Sequence, residues 1–197
     1  MEFSGKKVTV VGTGISGIGA VGLLNAVGAE VVLYDGNEKL KIEDIEKKLG
    51  TYKAEIVLGE LTKELTDSSD LLVISPGVPI DSPVVKAFEA AGVPVWGEVE
   101  LAYAFDKGKV LAITGTNGKT TTTALVGQIV GAYHKDTFVV GNIGNPYTTE
   151  VLKSNKDSYT VAEISSFQLE TVHEFHPLVS AILNITPDHL NRHYTMD

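Results

Sequence analysis

The sequence predicts an α/β protein in which two parallel sheets follow one another along the chain. Short β-branched runs alternate with helical segments, which is the pattern of a parallel sheet covered by helices. Two glycine-rich loops, at residues 12–17 and 115–118, each follow a strand and precede a helix. We therefore predict a Rossmann-like parallel-sheet N-terminal domain followed by an incomplete P-loop α/β central domain.

The first half of the chain contains most of the alternating pattern. Strands are predicted at residues 7–11, 31–35, 56–58, 71–74 and 93–96, and helices at 18–29, 42–49, 83–91 and 98–106. Gly28 marks the end of the first helix, because glycine is the usual residue just past a helix C-terminus. A new strand begins after Gly108, so we predict domains at residues 1–107 and 108–197.

The second half is less complete. Strands are predicted at residues 109–114, 137–140, 158–164 and 179–184, with one long helix at 119–132. Four strands with one long covering helix do not make a closed α/β domain. We expect the chain to be a fragment that is cut inside this domain at Asp197.

Composition excludes several classes of protein. The formal charge is -9 over 197 residues, with no basic stripe for nucleic acid. There is no cysteine, which excludes disulfides and thiolate metal sites. The N-terminus enters a strand without a signal-peptide pattern, and no apolar run is long enough for a membrane span. We expect a cytoplasmic protein without nucleic-acid or membrane partners.

The second glycine loop predicts a phosphate-binding site. It reads Gly115-Thr116-Asn117-Gly118-Lys119-Thr120, with Thr121 following, and is shorter than the common P-loop, which would place glycine at Ile113. Backbone N–H groups of residues 115–119 can surround an anion at the N-terminus of the following helix. Lys119 would contact the terminal phosphates, and the Thr120 hydroxyl would bind Mg²⁺. The alternative is a glycine-rich turn with a surface lysine.

The first glycine loop has the spacing of a dinucleotide-binding site. Gly12, Gly14 and Gly17 follow the first strand, and Asp35 ends the second strand, as in the dinucleotide fingerprint. The same groups suit any nucleoside diphosphate with a ribose, including a UDP-sugar. NAD(H), a UDP-sugar and a structural glycine turn all remain possible from this motif alone. The turn that begins at Ser75 lies after the fourth strand, where ligands bind in open α/β sheets.

Three further polar residues are candidates. Glu163 ends an apolar strand, where a carboxylate is costly without a cation, so metal binding is favoured over a salt bridge. His189 and His193 have the spacing of a zinc pair but no third ligand between them, and alone they are ordinary surface histidines. Asn142 alone would be a turn residue.

Seven segments together resemble the Mur ligases, the ATP-dependent amino-acid ligases of peptidoglycan assembly. They occur in the family's order over nearly the whole chain: VVGTGISGIGA at 10–20, ISPGVP at 74–79, GEVEL at 97–101, ITGTNGKTTTT at 113–123, GNIG at 141–144, AEISSFQLE at 162–170 and ILNITPDHLNRH at 182–193. The Rossmann-like start and SSFQLE resemble the branch of the family that adds D-glutamate. Another branch of the family remains an alternative.

The resemblance implies substrates, cofactors and residue roles. The substrates are UDP-N-acetylmuramoyl-L-alanine, D-glutamate and ATP, with two Mg²⁺ ions, and the reaction proceeds through an acyl phosphate in a full-length monomeric enzyme. The implied UDP-substrate contacts are Gly14, Ile15, Ser16, Gly17, Asp35, Gly36, Ser75, Asn142 and Ser165. The implied metal ligands are Thr120, Glu163 and His189, and the implied catalytic residues are Lys119 and His189. Asn191 occupies a position where the family has aspartate, so a charged role there is in doubt.

The resemblance also implies what this chain lacks. A lysine that becomes carbamylated and the domain that binds D-glutamate would follow Asp197, so the fragment is expected to keep the UDP site without ligating. Two rival functions differ in class. One is an NAD(H)-binding oxidoreductase domain, and the other is a generic P-loop kinase or GTPase, which the loop spacing disfavours.

Overall fold

The computed structural model describes residues 2–195, and its first half forms a five-stranded parallel sheet. The strands are β1 (Lys7–Val11), β2 (Glu30–Asp35), β3 (Glu55–Leu58), β4 (Leu71–Ile74) and β5 (Val95–Gly97). Their spatial order is β3-β2-β1-β4-β5, and each neighbouring pair is parallel. This is the strand order of a Rossmann-like sheet, so the predicted fold class is confirmed.

Five helices follow these strands. They are α1 (Ile15–Ala26), α2 (Ile42–Leu49), α3 (Lys63–Ser68), α4 (Pro83–Ala90) and α5 (Glu98–Tyr103). The first helix begins three residues earlier than predicted, because extended Gly14 is its N-cap and Gly17 lies inside its first turn. Gly28 has φ +80, and its N–H and that of Ala29 bond to the carbonyls of Asn25 and Leu24, as in a Schellman ending. Helix α3 was not predicted, because it is only six residues long.

The second half forms a four-stranded parallel sheet. Its strands are β6 (Lys109–Thr114), β7 (Thr137–Gly141), β8 (Tyr159–Glu163) and β9 (Val179–Ile182), in the order β7-β8-β6-β9. The long helix α6 (Lys119–Tyr133) follows β6, and the helices α7 (Tyr147–Glu150), α8 (Ser166–Leu169) and α9 (Leu190–His193) have four residues each. Within residues 2–195, none of the helices has the length and apolar character needed to cross a bilayer.

The two halves of the chain pack together through the helices α1, α5 and α7. One apolar cluster includes Leu24 beside the first sheet and Val110 and Ala162 in the second. Gly19 of α1 lies so close to α7 that a Cβ there would come within 2.6 Å of the Thr148 hydroxyl oxygen. A side chain at that position would therefore force the two helices apart.

A buried carboxylate adds a polar link. The Glu100 side chain, in α5, is 2% exposed and accepts hydrogen bonds from the backbone N–H groups of His173, Glu174 and Phe175. These bonds satisfy the carboxylate inside the protein. Glu100 thereby holds residues 173–175 of the second half against α5.

Candidate functional site

The glycine loop of residues 115–118 lies between β6 and α6, at the carboxyl end of the second sheet. Gly115 and Gly118 have φ of +136 and +86, which other residues rarely adopt. A Cβ at Gly115 would also lie 3.0 Å from the backbone oxygen of Asn184. Both glycines are therefore required by the backbone path of the loop.

Asn184 holds the glycine loop in place, and sequence reasoning assigned it no role. Its Oδ1 accepts from the Asn117 N–H at 2.9 Å, and its Nδ2 donates to the Asn117 carbonyl at 2.9 Å. Its backbone carbonyl accepts from the Thr116 N–H. Two of the N–H groups predicted to surround a phosphate are thus bonded within the protein. The predicted phosphate-binding loop therefore has fewer free N–H donors than the sequence suggested.

The remaining donors lie at the start of α6. Gly118 is the N-cap, and Lys119, Thr120 and Thr121 form the first turn, whose N–H groups have no intrahelical carbonyl partner. The Lys119 ammonium donates to the carbonyls of Gly115 and Thr116, at 2.7 and 3.0 Å. The helix terminus and this ammonium together suit an anionic group.

Glu163 is buried at the carboxyl end of β8, directly beside the strand that leads into the glycine loop. Its backbone pairs with Ile113 of β6, and its side chain is 1% exposed. One carboxylate oxygen accepts from Asn142 Nδ2 at 3.0 Å, while Oε2 has no hydrogen-bond partner. A buried, half-satisfied carboxylate is costly in the absence of a cation.

This carboxylate fits a Mg²⁺ ion. Oxygen is the donor that Mg²⁺ prefers, and the ion commonly binds one or two carboxylates together with substrate phosphates and water. Within residues 2–195, no three histidine, cysteine or acidic side chains converge as a metal site. Further Mg²⁺ ligands would therefore have to include substrate and solvent oxygens.

Ser165 is the N-cap of α8, where it forms a capping box with Gln168. The Ser165 hydroxyl accepts from the Gln168 N–H, and the Gln168 side chain accepts from the Ser165 N–H. The Gln168 amide also donates to Glu98 Oε1 at 2.8 Å, across to helix α5. Buried Glu98 thereby helps to set the position of Ser165.

Glu98 provides a prediction on pH dependence. Burial raises the pKa of its carboxyl above the ordinary value, and the polar groups of Ser16 and Gln168 offset this only in part. A raised pKa in the folded state means that the stabilising protonated form is lost as pH rises. We expect Glu98→Gln, which keeps the acceptor for Gln168, to raise the melting temperature more at pH 7.5 than at pH 5. Thermal unfolding at the two pH values measures this, and an equal shift at both would contradict it.

His189 lies on the exposed side of the site, at the N-cap of α9, with a left-handed backbone at φ +52. Its side chain is 55% exposed, and its Nε2 lies 3.7 Å from the Asp188 carboxylate. Its ring is tilted against Phe167, with 4.9 Å between ring centroids. The His193 ring also packs on Phe167, with 5.4 Å between ring centroids, but its Nε2 bonds to the Ser166 hydroxyl at 2.9 Å.

The first glycine loop lies at the carboxyl end of β1, opposite the turn that follows β4. Gly14 and Ile15 are exposed at the start of α1, while Gly17 is buried against the Gly12 carbonyl. The Ser75 hydroxyl is buried near Gly12 and has no hydrogen-bond partner. This loop and turn meet at the switch point of the strand order, where ligands bind in such sheets.

Asp35 and Gly36 follow β2 on the same edge of the first sheet. The Asp35 carboxylate accepts from the Thr13 hydroxyl and from the Asn37 N–H, each at 3.1 Å, and Gly36 is exposed. Ser16 lies one residue beyond exposed Ile15 and is partly buried. The seven predicted UDP-site residues of the first half thus lie along one edge of the first sheet, whereas Asn142 and Ser165 lie at the second sheet.

A cleft of about 680 Å³ is lined by some of the predicted site residues. Among those lining it are Gly115, Thr116, Lys119, Asn142, Ser165 and His189. From the first half of the chain, Pro76 and Gly77 line the same cleft, next to Ser75. The residues around Gly14 and Asp35 do not line it. The cleft therefore extends from the glycine loop of residues 115–118 to the turn after β4.

This fold and site define an α/β protein with a Rossmann-like domain and a P-loop domain. Two family models match the chain: "Mur ligase MurD-like, N-terminal domain" over residues 6–97 and "Mur ligase middle domain" over residues 113–197. A relative from Lachnospira eligens named UDP-N-acetylmuramoylalanine--D-glutamate ligase is 72% identical over 197 residues. A relative of the same name from Clostridioides difficile is 45% identical over 199 residues. The chain belongs to the Mur ligase family.

The coverage of these relatives is partial. Both matches cover 100% of this chain but 44% of the relative, so the chain spans less than half the length of the curated relatives it matches. The structure of a UDP-N-acetylmuramate:L-alanyl-gamma-D-glutamyl-meso-diaminopimelate ligase from Neisseria meningitides has the same fold. Its TM-score is 0.59 at 18% identity, over 96% of this chain and 63% of that one. None of these comparisons supports an oxidoreductase.

Asn184 gives a prediction for nucleotide binding. We expect Asn184→Ala to weaken binding of Mg·ATP about tenfold, because two hydrogen bonds that order the glycine loop are lost. Calorimetric titration measures the affinity. Asn155→Ala is the matched control, since Asn155 also uses both amide atoms but lies before β8, at the opposite end of the sheet. An equal loss in both variants would contradict a local role for Asn184.

Proposed function

We propose that this chain is part of an ATP-dependent ligase that joins D-glutamate to UDP-N-acetylmuramoyl-L-alanine in cytoplasmic peptidoglycan precursor synthesis. The membership in the Mur ligase family and the name of the 72% identical relative support the proposal. Because the chain spans 44% of that relative, the activity is proposed for the whole protein that contains it.

The observation that carries the proposal is the unpartnered carboxylate oxygen of Glu163. It is buried beside the strand that leads into the glycine loop, so a cation bound there would lie near a phosphate held by that loop. A structural salt bridge would have supplied a basic partner inside the protein. The half-satisfied carboxylate therefore favours a Mg²⁺ that arrives with a nucleotide.

The proposed reaction is electrostatically demanding, because the carboxylate of the substrate attacks the γ-phosphate of ATP. An acyl phosphate forms and ADP leaves; the amine of D-glutamate then displaces phosphate to form the amide. Lys119 and the first-turn N–H groups of α6 would stabilise charge on the transferred group. Two bound Mg²⁺ ions would supply further charge neutralisation, held by Thr120 and Glu163 and by His189.

The UDP end of the substrate is assigned to the first sheet. Gly14 and Gly17 allow a diphosphate to approach the backbone at the N-terminus of α1, and Asp35 can accept from a ribose hydroxyl. The other proposed contacts on this edge are Ile15, Ser16, Gly36 and Ser75. Asn142 and Ser165 would contact the substrate where it crosses the cleft, since both line it.

The test uses the full-length protein that contains this chain. With ATP, Mg²⁺, UDP-N-acetylmuramoyl-L-alanine and D-glutamate, we expect phosphate release that depends on all four components. Omission of D-glutamate, or its replacement by L-glutamate, should abolish amide formation. Turnover without D-glutamate specificity would contradict the proposed substrate. Tighter binding of NADH than of the UDP-substrate in calorimetric titration would instead favour the oxidoreductase alternative.

A further inference from the structure

One arginine of α9 joins three segments of the structure. Arg192 donates from Nε to Glu170 Oε1 at 3.1 Å and from Nη2 to the second oxygen of the same carboxylate. Its Nη1 donates to the Pro76 carbonyl at 2.8 Å, and its Nη2 also approaches the Val78 carbonyl at 3.3 Å. The guanidinium lies over the Phe167 ring, 4.2 Å from the ring centroid.

These contacts are sheltered from solvent. The side chains of Arg192 and Glu170 are 13% and 16% exposed. An exposed ion pair contributes little to stability, whereas a shielded, two-pronged arginine–carboxylate pair is strong and has a defined geometry. Lysine cannot reproduce this arrangement, because it has no planar fork of donors and does not stack on a ring in the same way. All three guanidinium nitrogens of Arg192 donate to protein groups, which favours a role in holding the structure over direct contact with a substrate.

Each segment that Arg192 joins carries a residue of the proposed site. The turn containing Pro76 and Val78 begins with Ser75, which is a proposed contact of the UDP-substrate. Phe167 belongs to α8, which is capped by Ser165. Arg192 itself is three residues after His189, a proposed Mg²⁺ ligand beside the ATP phosphates. The position of the UDP turn relative to His189 is therefore set in part by one side chain.

We propose that Arg192 is a positioning residue that holds the His189 segment against the turn after β4. Arg192 is itself held by Glu170. It sets the distance between the bound end of the UDP-substrate and the glycine loop of residues 115–118. The substrate carboxylate can then reach the γ-phosphate of ATP. This inference rests on the proposed ligase function. It adds a residue for which neither the sequence patterns nor the family comparisons supplied a role.

The kinetic test compares Arg192→Lys with the wild type in the full-length protein. We expect kcat to fall between about tenfold and a hundredfold, because a small misplacement of reacting groups has a large effect on rate. The KM for ATP should stay within about twofold, since the glycine loop and Lys119 are not in contact with Arg192. A purely structural defect would instead reduce the active fraction and leave the kcat of the folded enzyme unchanged, which active-site titration detects.

Tyr194→Phe is the matched control. Tyr194 donates to the Asp81 carboxylate at 3.3 Å, which is a second polar link between the end of α9 and the region after β4, at an exposed position. We expect its kcat to stay within about twofold of the wild type. A similar loss of kcat in both variants, or a kcat of Arg192→Lys equal to that of the wild type, would overturn the proposal.

A second measurement requires no turnover. Hydrogen exchange of the amides of residues 77–78 and 166–170 should speed up in Arg192→Lys and in Glu170→Gln, and stay unchanged in Tyr194→Phe. Unchanged exchange in Arg192→Lys would contradict the inference. If the wild-type protein shows no ligase activity, the proposed function fails, while the exchange experiment still decides whether Arg192 holds these segments together.

Discussion

Replacing Glu163 by glutamine is expected to reduce ligation by about a thousandfold or more, because a preorganised charge that would hold Mg²⁺ at the phosphate is removed. The same change is expected to leave the protein without Mg²⁺ at least as stable as the wild type. The wild-type carboxylate is buried with one unpartnered oxygen, and a neutral amide in that place costs less than a charge. In the full-length protein, Mg·ATP should raise the melting temperature of the wild type but not of Glu163→Gln.

Glu100→Gln is the control that separates a metal ligand from a buried structural carboxylate. Glu100 is as buried as Glu163, at 2% and 1% exposure, but both of its oxygens accept backbone hydrogen bonds. An amide there would point an N–H at a backbone N–H, which costs about 1–3 kcal/mol. Glu100→Gln should therefore destabilise the Mg²⁺-free protein, whereas Glu163→Gln should not. A clear destabilisation by Glu163→Gln would show that its carboxylate is structural.

Gly17→Ala is expected to have the largest effect on folding. A Cβ at Gly17 would lie 1.9 Å from the carbonyl oxygen of Gly12 and 3.0 Å from its carbonyl carbon. Both are backbone atoms of the loop after β1, so α1 would have to move away from the sheet. We expect a loss of about 3 kcal/mol or more in the free energy of unfolding, measured by urea denaturation, since overpacking against a backbone leaves little room for relaxation.

Gly14→Ala tests the role of the first glycine loop in substrate binding, even if Gly17→Ala does not fold. No atom lies within 4 Å of a Cβ built at Gly14, and its φ of -79 suits alanine. We expect a loss of stability of only about 1 kcal/mol, because alanine is a poorer N-cap than glycine but meets no clash here. Its affinity for UDP-N-acetylmuramoyl-L-alanine should nevertheless fall if the diphosphate approaches this backbone. Unchanged affinity would contradict the predicted role of the first glycine loop.

Local patterns in the sequence were sufficient to predict the strand and helix alternation and the positions of both glycine loops. Strand ends and helix starts were less accurate, as at α1, because the capping residue is itself one of the loop glycines. The short helices α3, α7, α8 and α9 were not predicted, since four to six residues have too little periodicity to be recognised.

The candidate site was predicted unevenly. Glu163 could be singled out because a carboxylate at the end of an apolar strand is unusual. In the structure this carboxylate is buried, and one of its oxygens has no hydrogen-bond partner. Asn184 and Arg192 lie within a segment that was quoted for its resemblance, but neither had a pattern of its own. Their contacts, with Asn117 and with Glu170, span 67 and 22 positions along the chain, so no local spacing could indicate them.

The sequence by itself determined the class of this protein: the two parallel sheets, the two glycine loops that follow their strands, and a carboxylate at the end of an apolar strand, which predicts a bound cation. These features follow from local strand and helix propensity and from the cost of a buried charge, and both can be assessed from the sequence. Only the tertiary structure decided which donors stay available for a phosphate and how the two sheets are held together. Asn184 occupies two of the loop N–H groups, and Arg192 ties the turn after β4 to the segment of His189. Such contacts depend on which strand ends meet in space, and local patterns of residues along the chain do not show that.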